Sequence, residues 1–578
     1  MTDHPIRLEP FTPEPAPADS VPAATNAVLQ KCGWTLVWFG ILSSGLGMWS
    51  AWSSWPGAAV IAPLLILGGF VGMAAVWLGA NPVSRVMQWV GLATALLAVG
   101  APQAVGIHVR QYYTTDSAAF NQVAARILLQ GKNPYASSMA SASSLLNPPS
   151  HFWTYTVDGG HVTQVSYPAA SFLLQVPAMV LGFHHEIADW MDLGAWLVTG
   201  VLLFVLVPAS LRWLSVLVLL ASVFVGMFSN GGTDALYLPF LVVAVWRWDR
   251  FGTGRAAGVA GWIGPLSLGL ACAIKQSPWF CIPFLVVGLG LEARRRGQGP
   301  WRIPARYLAI VVAVFAACNL PFVIWGPRAW VHGTFLPFTE PLVADGQGLV
   351  TLALHGLTGG VVLTPLSVAG ALAYVALMAA FVLWYARMKA VWLLLLPAVL
   401  FVPGRSLASY LVDLFPAALV AALTVAVPAH ATAKAGVARR RWAAGVAVGI
   451  PVAVAVAVGA AAFTSAPLQL SVDGFRTSRA TQRLRAVTVT VRNLSDHAVT
   501  PHFMVAIDSG HPSGFWAPAP GTGSMVLGPR ATATVTLFPN YFTWSPNHGG
   551  YWLVEVYTSS PNALSTSPLQ LWTLGRAQ

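Results

Sequence analysis

Charged residues are scarce in this chain of 578 residues: Asp, Glu, Lys and Arg make up only 9%, against a hydrophobic fraction of 56%. A soluble globular domain carries about 25% charged residues, so the low fraction excludes a water-soluble globule of this size. Apolar runs recur along the chain, and crossing a bilayer takes roughly 20 helical residues. The composition therefore predicts a polytopic α-helical membrane protein with about 11–14 spans.

Cysteines and recognisable cofactor motifs are also few. Only four cysteines are present, all in or beside predicted spans, which excludes a disulfide framework in the C-terminal region. No closely spaced set of His, Cys, Asp or Glu residues suggests a metal site, so neither a metal nor another cofactor is expected. A phosphate-cradling glycine-rich loop and a dinucleotide fingerprint are both missing, which disfavours a nucleotide sugar as substrate.

The net charge of +12 comes largely from short basic clusters at the ends of apolar runs, for example at residues 294–296 and 439–441. Such clusters orient membrane helices, so no nucleic-acid partner is expected. With the clusters on the cytoplasmic side, the N-terminus is cytoplasmic and residues 108–165 form an outer loop. The C-terminal region is then extracytoplasmic, and the predicted location is the plasma membrane of a bacterium.

Four apolar segments lie between residues 166 and 249, and this orientation requires them to cross the membrane an odd number of times. The segment 166–183 contains Pro168 and Pro177. Broken helices are tolerated at membrane depth only when they pack against protein or line a cavity. We therefore predict that one of the four segments is re-entrant or merges with a neighbour, and the prolines indicate 166–183.

Three regions of different composition predict the domain organisation. Residues 1–30, rich in Pro and Ala, are predicted to be a disordered cytoplasmic tail and do not resemble a signal peptide. Residues 31–465 hold the predicted spans. Residues 468–578 show period-two runs, as at 487–491 and 552–556, separated by turn residues. This pattern predicts an all-β sandwich of immunoglobulin-like or fibronectin-like type.

The most informative segment of the outer loop runs from residue 116 to residue 135. Apolar residues recur in it at helical spacing and predict an amphipathic helix lying in the outer interface. Thr114 or Thr115 can cap its start, and Gly131 can end it. Asp116 then lies at the helix N-terminus, where the dipole stabilises an acid, so a capping or first-turn role explains this residue on physical grounds alone.

Four segments of the chain resemble, in order, motifs of the multi-pass GT-C glycosyltransferases. The first is Asp116 followed by an aromatic residue, an Ala/Arg/Leu-rich helix and Gly131-Lys-Asn-Pro-Tyr135. The other three are Tyr167-Pro168, Ala271-Cys-Ala-Ile-Lys275-Gln-Ser-Pro278 and Asn319-Leu-Pro-Phe322.

The resemblance covers about residues 85–430 and is to glycosyltransferase family 87 in particular, the polyprenyl-phosphomannose-dependent mannosyltransferases. The chain departs from that family in two respects. Three predicted spans rather than one precede the outer loop, and a C-terminal β-domain is not a constant family feature.

The resemblance implies a GT-C-like enzyme that moves a mannose-like sugar from a polyprenyl-phosphate donor to an envelope glycolipid or glycan at the outer face, with inversion. It implies that Asp116 is the general base for the acceptor hydroxyl. Lys275 and Arg405 are candidates for binding the donor phosphate. The alternatives are snorkelling of Lys275 to the interface and anchoring of a helix end by Arg405. Membrane lipids are the remaining partners.

Seven further residues are candidates for contacting the substrates, and four of them have a structural alternative. Asp234 can be a helix N-cap, Asp413 can pair with Arg405 or Lys275, and a lone histidine more often stabilises a fold than binds a ligand. Two of the seven flank a second predicted outer loop at 326–364. The seven are Tyr135, Tyr167, Asp234, His332, His355, Tyr410 and Asp413.

Two other classes of protein stay open on the sequence alone. A secondary transporter or lipid-sugar flippase should show internal repeats and ionisable residues near the midplane of matched spans, and the sequence shows no repeat. A non-catalytic envelope assembly protein would act through its β-domain. The aromatic residues of that domain either build its core or stack on sugars: Trp516, Tyr541, Trp544, Tyr551 and Trp552.

Overall fold

The computed structural model describes most of the chain. The predicted span 442–464 lies outside the described part apart from two single residues, and the basic cluster 439–441 and residues 1–22 lie wholly outside it. The described residues are 23–79, 83–146, 153–228, 233–253, 259–425, 455, 459, 466–478, 483–507, 512–518, 525–539 and 551–571.

Helices dominate the described residues up to 425, with short 3-10 turns between some of them. They are α1 Ala23–Trp52, α2 Pro56–Leu78, α3 Arg85–Arg110, α4 Asp116–Leu129, α5 Ala170–Leu173, α6 Val176–Val180, α7 Ile187–Leu206, α8 Arg212–Leu220, α9 Ser222–Phe228, α10 Asp234–Val245, α11 Ile263–Ile274, α12 Ile282–Arg295, α13 Arg302–Trp325, α14 Pro327–Thr339, α15 Thr351–Leu354, α16 Leu363–Leu383, α17 Tyr385–Met388, α18 Trp392–Leu400, α19 Ala408–Val412 and α20 Phe415–Thr424.

Five of these helices are long and apolar enough to cross a membrane: α2, α3, α7, α13 and α16. Helix α2 shows why lipid suits them. Leu64, Leu67 and Val71 are each more than 60% exposed, a stripe that is costly in water and favourable in hydrocarbon. The five helices indicate a membrane protein, as the sequence predicted.

Several other predicted spans are broken into short helices. The segment 166–183 consists of α5 and α6, which together are far shorter than the roughly 20 residues of a span. The segments 211–229 and 407–428 are divided in the same way, into α8 and α9 and into α19 and α20.

The first helix begins earlier than predicted. Residues 23–30 belong to α1, although the sequence placed them in a disordered tail that ends at residue 30. The reason is local composition: the two prolines nearest to this stretch, Pro17 and Pro22, precede the helix, and 23–30 contain good helix formers without a proline.

The C-terminal region is an antiparallel sheet that includes one strand from the helical region. Its hydrogen-bonded order is β2-β10-β9-β6-β7-β8-β5-β4, with β11 on β9, and β4 packs back against β9 and β10. The strands are β1 Asp345–Gly346, β2 Gly360–Val362, β3 Arg405–Ser406, β4 Leu468–Thr477, β5 Leu484–Asn493, β6 His502–Ile507, β7 Pro512–Pro518, β8 Thr532–Pro539, β9 Tyr551–Ser559, β10 Asn562–Thr566 and β11 Gln570–Leu571.

The pairing runs through one curled half-barrel sheet, so a two-sheet immunoglobulin-like or fibronectin-like sandwich is not confirmed. The period-two pattern places apolar and polar side chains on opposite faces of the sheet, as the sequence predicted. Val487, Val489 and Val491 of β5 are fully buried, while Thr488 and Thr490 on the other face hydrogen-bond across to threonines of β8.

The aromatic residues of the β-domain divide between core and surface. Trp516 and Trp552 are almost completely buried in the core formed by β4–β9, and Tyr551 is 45% exposed. Tyr541 and Trp544 lie outside the described residues. Burial of the two tryptophans favours the core-building alternative for them.

The β-domain is docked onto the helical region by backbone pairing. Strand β2, which leads directly into α16, pairs antiparallel with β10, with Val361 opposite Leu564. Beside this junction, Tyr155 of the 108–165 loop meets Phe515 edge-on, with ring centroids 5.3 Å apart. The long loop and the β-domain therefore pack directly against each other.

Candidate functional site

Asp116 is the first residue of α4, as the sequence predicted, but it does not cap the helix. The cap is Thr115, whose Oγ1 accepts the backbone N–H of Ala118. The Asp116 carboxylate instead accepts the backbone N–H of Thr154 through Oδ2 at 2.7 Å. Since Thr115 already serves the helix end, Asp116 is available for another role.

Helix α4 is enclosed by protein rather than laid on an interface with only its apolar side covered. Every residue from Ser117 to Ala125 is buried. Asn121 binds Ser171 at 3.0 Å, and Gln122 donates to the carbonyl of His184 at 3.0 Å. These partners are 50 and 62 residues away, so the local pattern of apolar residues does not reveal them.

The surroundings of Asp116 make its carboxylate a stronger proton acceptor than a free carboxylate. Burial raises the pKa of this partly buried carboxyl, while the hydrogen bonds from Thr154 and the positive charge of Arg405 lower it; burial is the largest effect. Tyr155 and His161 also lie within electrostatic range of the carboxylate. A carboxylate with a raised pKa and residual exposure matches what a general base requires.

Arg405 lies at the junction of two loops. Strands β1 and β3 pair in parallel, which sets Asp345 opposite Arg405. One guanidinium nitrogen is 3.5 Å from the carbonyl of Val343 and another is 3.8 Å from the Asp345 carboxylate. The Arg405 side chain keeps 22% exposure. The long ion pair leaves donors free to bind an anion.

Lys275 ends α11 and is buried in an ion pair with Asp234, the first residue of α10. The rings of Tyr167 and Tyr410 flank its ammonium at 5.7 and 5.5 Å, which is within cation–π range. Asp234 therefore pairs with Lys275 in addition to starting α10. Lys275 does not snorkel into an interface, because its side chain is only 6% exposed.

Two further acids lie deeper in the same cluster. Asp413 is 1% exposed and accepts a hydrogen bond of 3.3 Å from the hydroxyl of Tyr237. Lys275 lies within electrostatic range of Asp413, but among the described residues Lys275 pairs with Asp234 and Arg405 pairs with Asp345. Asp192 of α7 is 3% exposed and also lies within electrostatic range of Lys275.

The predicted charged residues thus converge on one cluster. Tyr167 lies within electrostatic range of both Asp116 and Lys275, and Arg405 lies within range of Asp116 and of both tyrosines. His332 pairs with Glu340 at 3.4 Å on the exposed side of α14, and His355 caps α15 next to β10. Among the described residues, these two histidines are not part of the cluster.

The four segments that resemble family motifs contact one another. The Tyr135 hydroxyl donates to the carbonyl of Tyr167 at 2.8 Å, and its ring packs edge-on against Phe322. Asn319 accepts the backbone N–H of Ala169, and Gln276 donates to the carbonyl of Ser166. Tyr135 is 4% exposed and holds this arrangement together, so its hydroxyl is occupied structurally.

The β-domain reaches the cluster through two buried residues of β9. The Tyr557 hydroxyl donates to Glu555 at 3.0 Å and to the carbonyl of Ala344 at 3.3 Å. Asp345 lies within electrostatic range of both residues. Because Asp345 pairs with Arg405, the β-domain supports the loop that positions Arg405.

The burial of Glu555 should make the stability of the β-domain depend on pH. Burial raises the pKa of Glu555 from 4.5 to about 8. Between these values the unfolded chain releases the proton and the folded chain keeps it, so the free energy of unfolding falls as pH rises. The full-length protein in detergent should lose roughly 5 °C or more in the protease-resistance midpoint of its β-domain between pH 5 and pH 8.

Glu555→Gln should remove this loss, because the amide does not titrate. Asp496→Asn is the matched control, since Asp496 is 86% exposed and a surface ion pair contributes little. A Glu555→Gln protein that loses as much resistance as the wild type would contradict the assignment.

Sequence reasoning missed several residues of the cluster. Asp192 and its neighbour Asp189 are two acids in the apolar helix α7, and acids at such positions are rare enough to signal a functional or paired role. His161 and Tyr155 share the long loop with Asp116. Only the fold of that loop brings them to the carboxylate, so the sequence carried no comparable signal for them.

The cluster combines a partly buried carboxylate, a guanidinium with 22% exposure, a buried ammonium and two tyrosine rings. Such a set can accept a proton and stabilise a phosphate. Among the described residues, no three His, Cys, Asp or Glu side chains are arranged to hold a metal ion. Comparisons of the chain with family models, with curated proteins and with solved structures found no match.

Proposed function

We propose that this protein is a GT-C-like membrane glycosyltransferase that transfers a mannose-like sugar from a polyprenyl-phosphate donor to a glycolipid or glycan acceptor. The observation that carries the proposal is the convergence of Asp116, Arg405 and Lys275 around Tyr167 and Tyr410. These residues are far apart in sequence, and their meeting supplies both halves of the chemistry in one place.

In the proposed reaction, the acceptor hydroxyl attacks the anomeric carbon as its proton passes to Asp116. The bond between that carbon and the phosphate oxygen breaks, and the polyprenyl phosphate leaves with the electron pair. Attack opposite the leaving group inverts the configuration. Arg405 stabilises the departing phosphate. Lys275 adds a second positive charge to the cluster while it remains paired with Asp234.

The placement of this site at the outer face of a bacterial plasma membrane is part of the proposal, and the positive-inside pattern supports it. On that placement the β-domain lies on the same side as the site. Its size and antiparallel pairing favour kinship with immunoglobulin-like or fibronectin-like domains. Its buried contact with the Asp345 loop supports a role in holding the site rather than an independent activity.

The direct experiment uses vesicles that contain the full-length protein, envelope lipids and glycans as acceptors, and polyprenyl-phosphomannose with labelled mannose. The enzyme should move label from the carrier to a second lipid or glycan, and Arg405→Gln should slow this severely. A flippase would instead move the intact labelled carrier across the bilayer. An assembly protein would leave the label on the carrier and on its original side.

The pH profile of transfer tests the coupling between Asp116 and Arg405. The base must be ionised, so activity should rise with pH through the raised pKa of Asp116. Arg405 lowers that pKa. Arg405→Gln should therefore move the acid limb of the profile to higher pH.

Arg405→Lys is the matched control for this profile. It keeps the positive charge and should leave the acid limb in place, although the loss of the planar, bidentate guanidinium lowers the rate. Identical acid limbs in the wild type and in Arg405→Gln would contradict the coupling.

A further inference from the structure

A small cavity lies beside the cluster and is lined by polar side chains from four elements. Asn121 comes from α4, Gln175 precedes α6, Asp192 comes from α7 and Thr233 precedes α10. All four are at least nine-tenths buried, with exposures of 0%, 2%, 3% and 5%. The proposed chemistry uses none of them.

Three of these side chains carry a buried polar atom without a hydrogen-bond partner among the described residues: Asn121 Nδ2, Gln175 Oε1 and Thr233 Oγ1. Asn121 meets the hydroxyl of Ser171 at 3.0 Å, and that hydroxyl also lies 2.8 Å from the carbonyl of Pro168. With its single proton donated to Pro168, Ser171 can accept from the Asn121 amide, so the unmatched groups that remain are those of Gln175 and Thr233. An unmatched buried polar group costs about 1–3 kcal/mol. Two around one cavity indicate that an occupant supplies the missing bonds.

The lining set identifies the chemistry of this occupant. It contains the amide of Asn121, two acceptors in Gln175 and Asp192, and a hydroxyl that both donates and accepts. A group that donates and accepts at once satisfies it, and a hydroxyl is such a group. A phosphate only accepts and would meet the carboxylate of Asp192. The cavity has room for a hydroxyl or a water rather than for a whole sugar ring.

The cavity lies between the two halves of the site. Asn121 is five residues beyond Asp116 on α4, about 7.5 Å along the helix axis. Thr233 immediately precedes Asp234, the partner of Lys275, and Asp192 lies within electrostatic range of that pair. The cavity therefore borders both the helix that carries Asp116 and the residues around the Lys275–Asp234 pair.

We propose that the cavity is a sugar-hydroxyl subsite in which Asn121, Gln175, Asp192 and Thr233 receive one or two ring hydroxyls of the donor. This inference rests on the proposed function and extends it to recognition of the sugar. The subsite separates selection of the sugar from binding of the lipid phosphate. Variants in the cavity should therefore affect sugar-bearing lipids alone.

The test is equilibrium binding of two probes to the full-length protein in detergent: short-chain polyprenyl phosphate with mannose and without it. Gln175→Met removes an acceptor at similar volume, and Thr233→Val does the same for the hydroxyl. Each should weaken binding of the mannosylated probe about tenfold or more. Binding of the bare phosphate should stay within about twofold, since Arg405 and Lys275 are intact.

Thr199→Val is the matched control. Thr199 is a fully buried polar residue of the same α7, and its hydroxyl bonds to the carbonyl of Ala195. It does not line the cavity, so this variant should bind both probes like the wild type. Arg405→Gln should weaken both probes together. Retained binding of the bare phosphate shows that a cavity variant is folded.

The results distinguish failure of the subsite from failure of the proposed function. If Gln175→Met and Thr233→Val both bind the mannosylated probe like the wild type, the cavity holds only water and the subsite is wrong, while the proposed function stands. If the wild type binds the two probes equally, the subsite is also wrong. If the wild type binds neither probe, the proposed function itself fails.

Discussion

Replacing Asp116 by Asn is expected to reduce transfer of labelled mannose on the order of 10²–10⁴-fold, the usual contribution of a general base. Asn keeps the shape of Asp and still offers an oxygen to the N–H of Thr154, which Asp116 binds at 2.7 Å. The loop should therefore keep its structure while the proton acceptor is lost. The initial rate of transfer in vesicles measures the effect.

Asp158→Asn is the control for this variant. Asp158 lies in the same loop, and its carboxylate accepts hydrogen bonds from its near neighbours Thr156 and Gly160. It should transfer mannose within about twofold of the wild-type rate. Full activity in Asp116→Asn, together with loss of activity in Asp158→Asn, would show that Asp116 is not the general base.

Replacing Lys275 by Met is expected to destabilise the membrane domain by about 3–5 kcal/mol, because Asp234 is left as a buried charge without its cation. Adding Asp234→Asn in the same chain should restore most of this stability, since the uncompensated charge is then gone. Transfer should stay low in the double variant, because the positive charge of Lys275 is still missing. Thermal unfolding in detergent and transfer in vesicles separate the two effects.

Lys132→Met is the control for Lys275→Met. Lys132 is exposed just beyond α4, so its loss should change neither stability nor transfer noticeably. Unchanged stability of Lys275→Met would mean that the buried pair with Asp234 does not form. A wild-type rate of transfer in the double variant would show that Lys275 has no role in binding the donor phosphate.

The sequence predicted the features that depend on local pattern. The start of α4 at Asp116 followed from a threonine cap and an apolar period, and the alternation in β5 followed from Val and Thr at every second position. The apolar spans followed from length and hydropathy. Each of these depends on residues that are close together in the chain, so a single sequence contains what is needed.

The sequence did not predict what depends on distant contacts. Lys275 and Asp234 were both singled out, but nothing local shows that they pair across 41 residues. The enclosure of α4 depends on partners at Ser171 and His184. The joining of β2 to β10 makes the β-domain part of the same body as the helical region, although composition separates the two near residue 466.

The sequence did not predict the cavity beside the cluster either, because the cavity also depends on contacts between distant residues. Asn121, Gln175 and Thr233 read individually as an ordinary helix residue, a residue at a helix break and a cap. Only when α4, α6, α7 and α10 pack together do these polar side chains face one space. Signals of this kind come from the fold, because a buried polar group is unusual only once its burial is known.

The most direct test of the proposed transferase activity is the fate of labelled mannose in vesicles that contain the wild-type protein, polyprenyl-phosphomannose and envelope acceptors. We expect that mannose leaves the carrier, that free polyprenyl phosphate appears in equal amount, and that the product has the inverted anomeric configuration. Label that remains on the carrier in the presence of folded protein and envelope acceptors, whether or not the carrier crosses the bilayer, would contradict the proposed activity.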